Sequence, residues 1–407
     1  MIPARNALPR TFAPRRLAST TLALSLCAAT AAIAQTTTPD APASPRDPMA
    51  ARLEEVEKTL AQLTAASGRD TRDSGIPIHG FASVGAAKVR NPPPGSRGGF
   101  AVGALDFYLT PELGGHVKTL IELIFESEQT GETVADLERA QIGYAFSDKL
   151  TLWLGRFHTP FGYWNMAFHH GAQLQTSILR PRLLAFEDDG GILPVHTTGF
   201  MGTGGFRAGS GKLVYSLYAG NGTRVAAGKL DANPAGDNDG NKVLGFSMGY
   251  RFGGAMDGLS LGVHGLRQQV GAYDAADVLT SRTRLGMLGG YAVYDNDGWE
   301  AIGEYYRFRN ADLSGPSGSH ASWAGYVQVG RTFDDRWVPY YRHEKAALNQ
   351  ADNYFLSQAN GRSYARHVSG LRYNVDPRSA LKLELNRTRN DVGHAADELR
   401  LQYAVSF

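Results

Sequence analysis

The residues best able to do chemistry in this chain of 407 residues crowd into one stretch. From Arg156 to His196 it holds three cations (Arg156, Arg180, Arg182), three adjacent acids (Glu187, Asp188, Asp189) and four histidines (His158, His169, His170, His196). Opposed charges facing each other across a narrow passage set up a transverse field and sort solutes by size and sign. Histidines with carboxylates can instead hold a divalent metal, and here the four histidines with Glu187 and Asp188 are the available donors. No HExxH or other tight ligand spacing accompanies them. The sequence therefore favours no metal site, with histidines that hydrogen-bond inside an ordered loop. Solvated loop charges or internal ion pairs are the plainer alternative for the arginines and acids.

Enzymatic chemistry finds little footing. Cys27 is the sole cysteine and lies in the N-terminal apolar run "LASTTLALSLCAATAAIA". That run follows Arg5, Arg10, Arg15 and Arg16 and ends in Ala32-Ile33-Ala34, so a secretory signal peptide is expected over 1–34, cleaved before Gln35. The mature chain would then have no thiolate and no disulfide. No cofactor is implied. Without those four arginines, the 41 bases become 37 against 39 acids, a near-neutral balance that points to no nucleic-acid partner.

Several elements must position the charged stretch. Residues 35–48, "QTTTPDAPASPRDP", lack periodicity and read as a disordered linker. At 49–67, Met49, Leu53, Val56, Leu60 and Leu63 repeat at heptad spacing, which predicts a short helix, either one strand of a coiled coil or a single amphipathic helix packing on its own domain. From 76 to 407 the period changes to two. In "LKLELN" the leucines 381, 383 and 385 alternate with Lys382, Glu384 and Asn386, and the final "LRLQYAVSF" alternates in the same way. The chain is rich in glycine and aromatics, with 48 Gly, 18 Tyr and 18 Phe. Beyond the leader it has no apolar run of the roughly 18 residues a spanning helix needs.

Counting alternating segments gives an all-β fold, a transmembrane antiparallel β-barrel of about sixteen strands. Short connections of turn residues ("TPEL", "SDK", "DNDG", "DD", "DPRS") alternate with long ones at 158–195, 221–241, 268–282, 310–320 and 347–364. Tight periplasmic turns opposite long outer loops are the pattern of an outer-membrane barrel. An even strand count puts both chain ends, and the helix, in the periplasm.

The segment Gly155-Arg156-Phe157 followed by Pro160-Phe161-Gly162 resembles a motif of the porin family that includes the phosphate-selective outer-membrane porins. That resemblance implies trimers of sixteen-stranded barrels whose third outer loop folds into the lumen and narrows it. Folding the loop 158–195 inward would bring Arg156, Arg180 and Arg182 near Glu187, Asp188 and Asp189 at the constriction. Arg251, Arg372, Lys382, Glu384 and Arg400 are candidates for facing the lumen. Tyr403 and Phe407 resemble the C-terminal signal read by the barrel-assembly machinery.

The reading is a porin in the outer membrane of a Gram-negative bacterium: a water-filled diffusion channel for small hydrophilic solutes or ions. Its lean to anions is slight, because the acidic trio and sparse lysines argue against carrying phosphate selectivity over. Its partners are those solutes, outer-membrane lipids, the assembly machinery and copies of itself in a homotrimer. The alternatives are a structural envelope-tethering barrel with a closed lumen and an outer-membrane barrel hydrolase, which would need a Ser/His or Asp/His constellation at the rim.

Overall fold

The computed structural model describes residues 77–90, 98–127, 133–187, 190–231, 236–237, 240–391 and 395–407. The expected signal peptide, linker and helix lie outside them, as do Asp188 and Asp189.

Period-two alternation makes strands because successive side chains leave the ladder on opposite faces. The first seven are β1 (Ile78–Arg90), β2 (Gly99–Leu109), β3 (Val117–Ser127), β4 (Thr133–Ser147), β5 (Leu150–His158), β6 (His196–Ala208) and β7 (Gly211–Asn221). A two-residue hairpin, β8 (Val225–Ala226) with β9 (Lys229–Leu230), follows. Next come β10 (Lys242–Arg251), β11 (Leu259–Tyr273), β12 (Leu279–Asn296), β13 (Trp299–Asp312), β14 (Ser319–Arg331) and β15 (Trp337–Ala347). The last three are β16 (Tyr364–Asp376), β17 (Ser379–Asn390) and β18 (Ala396–Ser406).

Because β7 pairs directly with β10, the small hairpin stands outside the wall, and the remaining sixteen strands run antiparallel around one sheet. Closure is between β1 and β18, in register from Phe81↔Ser406 to Arg90↔Asp397. Reciprocal 3.0 Å hydrogen bonds between Gly80 and Phe407 finish the seam. A closed sheet has no unpaired edge, the condition for strands to live in lipid. The "DD" connection, 332–336, turns at Asp334 and Asp335, whose φ of 50° and 56° are the left-handed pair that matches strand twist in a tight hairpin.

The two faces of the wall differ as a membrane solvent requires. On β17, Leu381, Leu383 and Leu385 are 42%, 45% and 58% exposed, while Lys382 and Glu384 between them are 1% and 0% exposed. Leu152, Leu154, Phe200, Leu217, Leu244, Leu399 and Leu401 continue this exposed apolar face around the barrel. Burial of the alternate face reflects filling of the interior. Phe161, Trp164, Leu184, Tyr306, Phe308 and Phe355 are fully buried there in one apolar cluster.

Two connections differ from expectation. The loops expected at 268–282 and 310–320 shrink to 274–278 and 313–318, because β11, β12, β13 and β14 run further than the apolar pattern suggests. Their ladders continue through Val270↔Thr283 and Arg284↔Ala311. On this stretch the outward residues, including Arg267, Gln269 and Arg284, are polar and exposed, so the lipid-facing signal stops before the hydrogen bonding does.

Candidate functional site

The longest connection, 159–195, leaves β5 and returns on β6. Its contacts are with strands on the far side of the barrel, so it crosses the interior. Phe161 and Gly162 enter first. Gly162 has φ +64°, and a Cβ there would collide with Tyr306 Oη and Glu304 Oε2. Only glycine meets both conditions, which gives the Pro160-Phe161-Gly162 motif a physical reason. A one-turn helix, α1 (Trp164–Ala167), comes next, and its first amide donates to Glu304 Oε1 at 2.8 Å. Tyr306 and Tyr326 also donate to this carboxylate, at 2.6 and 2.5 Å.

The middle of the segment is held by its backbone. Lys382 donates to the carbonyls of Ala172, Gln175 and Ser177, the last two at 2.6 and 3.2 Å, using all three ammonium protons. Glu384 accepts from the amides of Ile178 at 2.8 Å and Leu179 at 3.3 Å, and from Tyr340 Oη at 2.8 Å. Arg372 donates to the carbonyls of Gln173 and Gln175 at 2.7 and 3.0 Å. Arg342, fully buried, places its five N–H groups on Glu344, Ser177, Gln328 and the carbonyls of Leu179 and Arg180. Its 2.8 Å ion pair with Glu344 is thus accompanied by hydrogen bonds on every remaining donor, the condition under which a buried pair persists.

The loop charges fall into separate environments. Arg156 donates to the Leu137 carbonyl on β4. Arg180 donates to the carbonyls of Leu184 and His169 at 2.7 and 2.5 Å and lies 3.6 Å over the Phe186 ring. Arg182 donates its amide to Glu344 at 2.7 Å and its guanidinium to Asn390 at 2.5 Å, and lies 4.6 Å over Tyr364. Burial lowers its pKa from the ordinary guanidinium value. Glu187 accepts from the Val195 amide at 2.7 Å.

The other candidates stand apart. Arg251 is exposed at the end of β10, and Arg400 pairs with Glu398 at 2.9 Å on β18. Tyr403 sits between Val84 and Leu381 on the exposed face, and the Phe407 ring meets Phe107 edge-on at 5.9 Å.

Four histidines meet at the root of the loop. His158 stacks on His169 with ring centroids 3.4 Å apart, while His170 and His196 approach Glu138 at 3.4 and 2.6 Å. Burial, reinforced by the neighbouring imidazoles, keeps the pKa of His169 well below the usual histidine range.

The positioning residues Arg342, Glu344, Glu304 and Glu300, the last accepting from Thr176 Oγ1 at 2.8 Å, escaped the sequence reading. The usable signal is their place on the alternate face of a strand: Arg342 and Glu344 share parity with Val338, Tyr340 and Ala346, all buried. Two GxSxG pentapeptides also occur, Gly245–Gly249 and Gly258–Gly262. Their serines, Ser247 and Ser260, lie in the β10–β11 ladder. A nucleophile elbow instead needs a strained strand-to-helix turn.

An anion-selective porin from Comamonas acidovorans superposes with a TM-score of 0.58 at 13% identity, covering 82% of this chain and all of that one. The fold is that of the outer-membrane porins. OmpF of Salmonella typhi, in complex with daunomycin, gives 0.53 at 12% identity over 82% of this chain and 97% of that one. The trimer form of OmpT from Vibrio cholerae gives 0.54 at 11% identity, over 82% and 99%. No family model and no curated protein matches the chain. In this chain the loop is bonded across the interior of that fold.

Proposed function

We propose that this chain is an outer-membrane porin: a water-filled channel for small hydrophilic solutes or ions, narrowed by the segment 159–195. The observation that carries the reading is that segment's place, bonded across a closed barrel whose outer face is apolar. A sixteen-stranded barrel is too wide for its own side chains to fill, and a loop of this length inside it sets the bore. The loop is pinned to β13, β15, β16 and β17, where the inward side chains are largely buried. Glu398, Arg400 and Gln402, which alternate with the lipid-facing leucines of β18, keep partial exposure. The passage runs along this less filled side.

Arg342, Arg372 and Lys382 are engaged in holding the loop, so few cations remain to attract anions. Only a slight anion preference follows. Kinship with the group that includes the phosphate-selective porins rests on the GRF and PFG motif alone. The protein sits in a Gram-negative outer membrane as a homotrimer, its N-terminal segment in the periplasm, and it is not an enzyme. Deleting residues 165–190 enlarges single-channel conductance on this reading; unchanged conductance would remove the loop from the pore.

A second reading, a structural barrel with a closed lumen, draws on the apolar cluster around Phe161, Trp164, Tyr306 and Phe355. The two readings separate on conductance, since a filled barrel passes no current.

A further inference from the structure

At the root of the loop, imidazoles and carboxylates from β4, β5, the loop and β6 are packed together at more than nine-tenths burial. Glu138 comes from β4 at a register irregularity, where Leu123 pairs with Leu137 and Glu122 with Arg139, leaving Glu138 unpaired between them. His158 ends β5, His169 and His170 lie in the loop, and His196 begins β6. One ligand atom from each of Glu138, His158, His169 and His170 lies within 4.8 Å of the other three.

The spacings within this group run from hydrogen-bond lengths to the lengths of ligands that share one cation. Glu138 Oε2 lies 2.6 Å from His196 Nε2, 3.4 Å from His170 Nε2 and 4.0 Å from His169 Nε2, and His169 Nε2 lies 3.0 Å from His196 Nε2. Tetrahedral ligands at bonds of about 2.0–2.1 Å sit about 3.3–3.4 Å apart, the middle of that range. His170 Nε2, 3.4 Å from Glu138, is nonetheless buried without a hydrogen-bond partner. Such atoms normally find one.

The surroundings aim the lone pairs inward. Asn165 donates its amide nitrogen to the Thr159 carbonyl at 3.0 Å, so its oxygen is the atom 2.9 Å from His169 Nδ1 and must accept the proton there. His169 Nε2 then carries a lone pair facing the cluster. Glu187 Oε2 lies 3.5 Å from His196 Nδ1 while its other oxygen takes the Val195 amide. A carboxylate behind a ligating imidazole fixes the tautomer that leaves Nε2 free for a metal.

We infer that Glu138, His169, His170 and His196 form a binding site for a divalent transition-metal ion of the zinc class, with Asn165 and Glu187 orienting two of its imidazoles. His158, stacked on His169, is the next imidazole within reach. The ion would tie β4, the loop and β6 together at one point. Its binding does not depend on whether the barrel conducts.

The test uses tag-free, folded barrel in detergent, stripped with chelator and then titrated with Zn2+ alone. Wild type retains about one Zn2+ per chain through gel filtration. The His169→Ala/His170→Ala variant, folded by its heat-modifiable migration, retains less than about one-tenth of that. His343→Ala/His367→Ala, which removes the paired imidazoles on β15 and β16, keeps it. Should the first variant not fold, Co2+ added to wild type reads the site directly. An intense tetrahedral ligand-field spectrum, abolished by added Zn2+, supports the assignment. No retained Zn2+, retention unchanged in the folded variant, or a purely octahedral Co2+ spectrum overturns it.

Discussion

Lys382 and Glu384, two residues apart on the same face of β17, grip adjacent peptides of the interior loop with opposite polarity. The ammonium takes the carbonyls of Ala172, Gln175 and Ser177; the carboxylate takes the amides of Ile178 and Leu179. Charge that looks available for solutes in a strand diagram is therefore spent on the loop. Lys382→Met should release the loop, raising single-channel conductance and exposing 172–179 to protease. Conductance and cleavage both at wild-type levels would show that the lysine does not hold it.

Arg342 and Glu344 form a buried pair with every guanidinium proton placed. Arg342→Met leaves the buried Glu344 carboxylate only the Arg182 amide and Arg366 at 3.7 Å, a loss of up to about 3–5 kcal/mol. The temperature at which the barrel loses its heat-modifiable migration should fall markedly. Arg342→Met with Glu344→Met should recover part of that loss, since an apolar pair leaves no orphaned charge. A double variant less stable than the single would contradict the pairing argument.

Gly162 is held in the left-handed region against Tyr306 and Glu304. Gly162→Ala should cost about 1–3 kcal/mol through strain and displacement of those partners. The same thermal measurement checks it. Gly202→Ala, on the exposed face and open to lipid-facing leucine side chains, should change little.

Phe407 closes the seam through its backbone to Gly80 and its ring to Phe107. Phe407→Ala keeps the backbone bonds, so whatever assembles should conduct normally. The amount reaching the membrane should fall, as quantified by surface labelling against total protein. Full surface levels would argue against a C-terminal assembly signal.

The wall was readable because lipid imposes a simple rule: on strands such as "LKLELN", leucine leaves on one face and the polar residue on the other. Where β11 and β12 rise past the apolar band, as at Gln268–Tyr273, that rule lapses and only hydrogen bonding continues. The interior was far less readable. Lys382 and Arg342 meet loop carbonyls more than 160 residues away, and a carbonyl contact leaves no mark on residue type. The histidine cluster was hidden for a related reason. Glu138 joins it from a strand irregularity 20 residues before His158, at a spacing that matches no ligand motif.

The central claim is an open, narrowed channel, and the most direct test is current. The purified protein, shown folded by heat-modifiable migration, is added to a planar bilayer under a KCl gradient. Discrete single-channel steps with a small reversal potential of the sign for anion preference are the predicted result. Absence of any steps from folded protein would contradict the channel and leave a filled structural barrel.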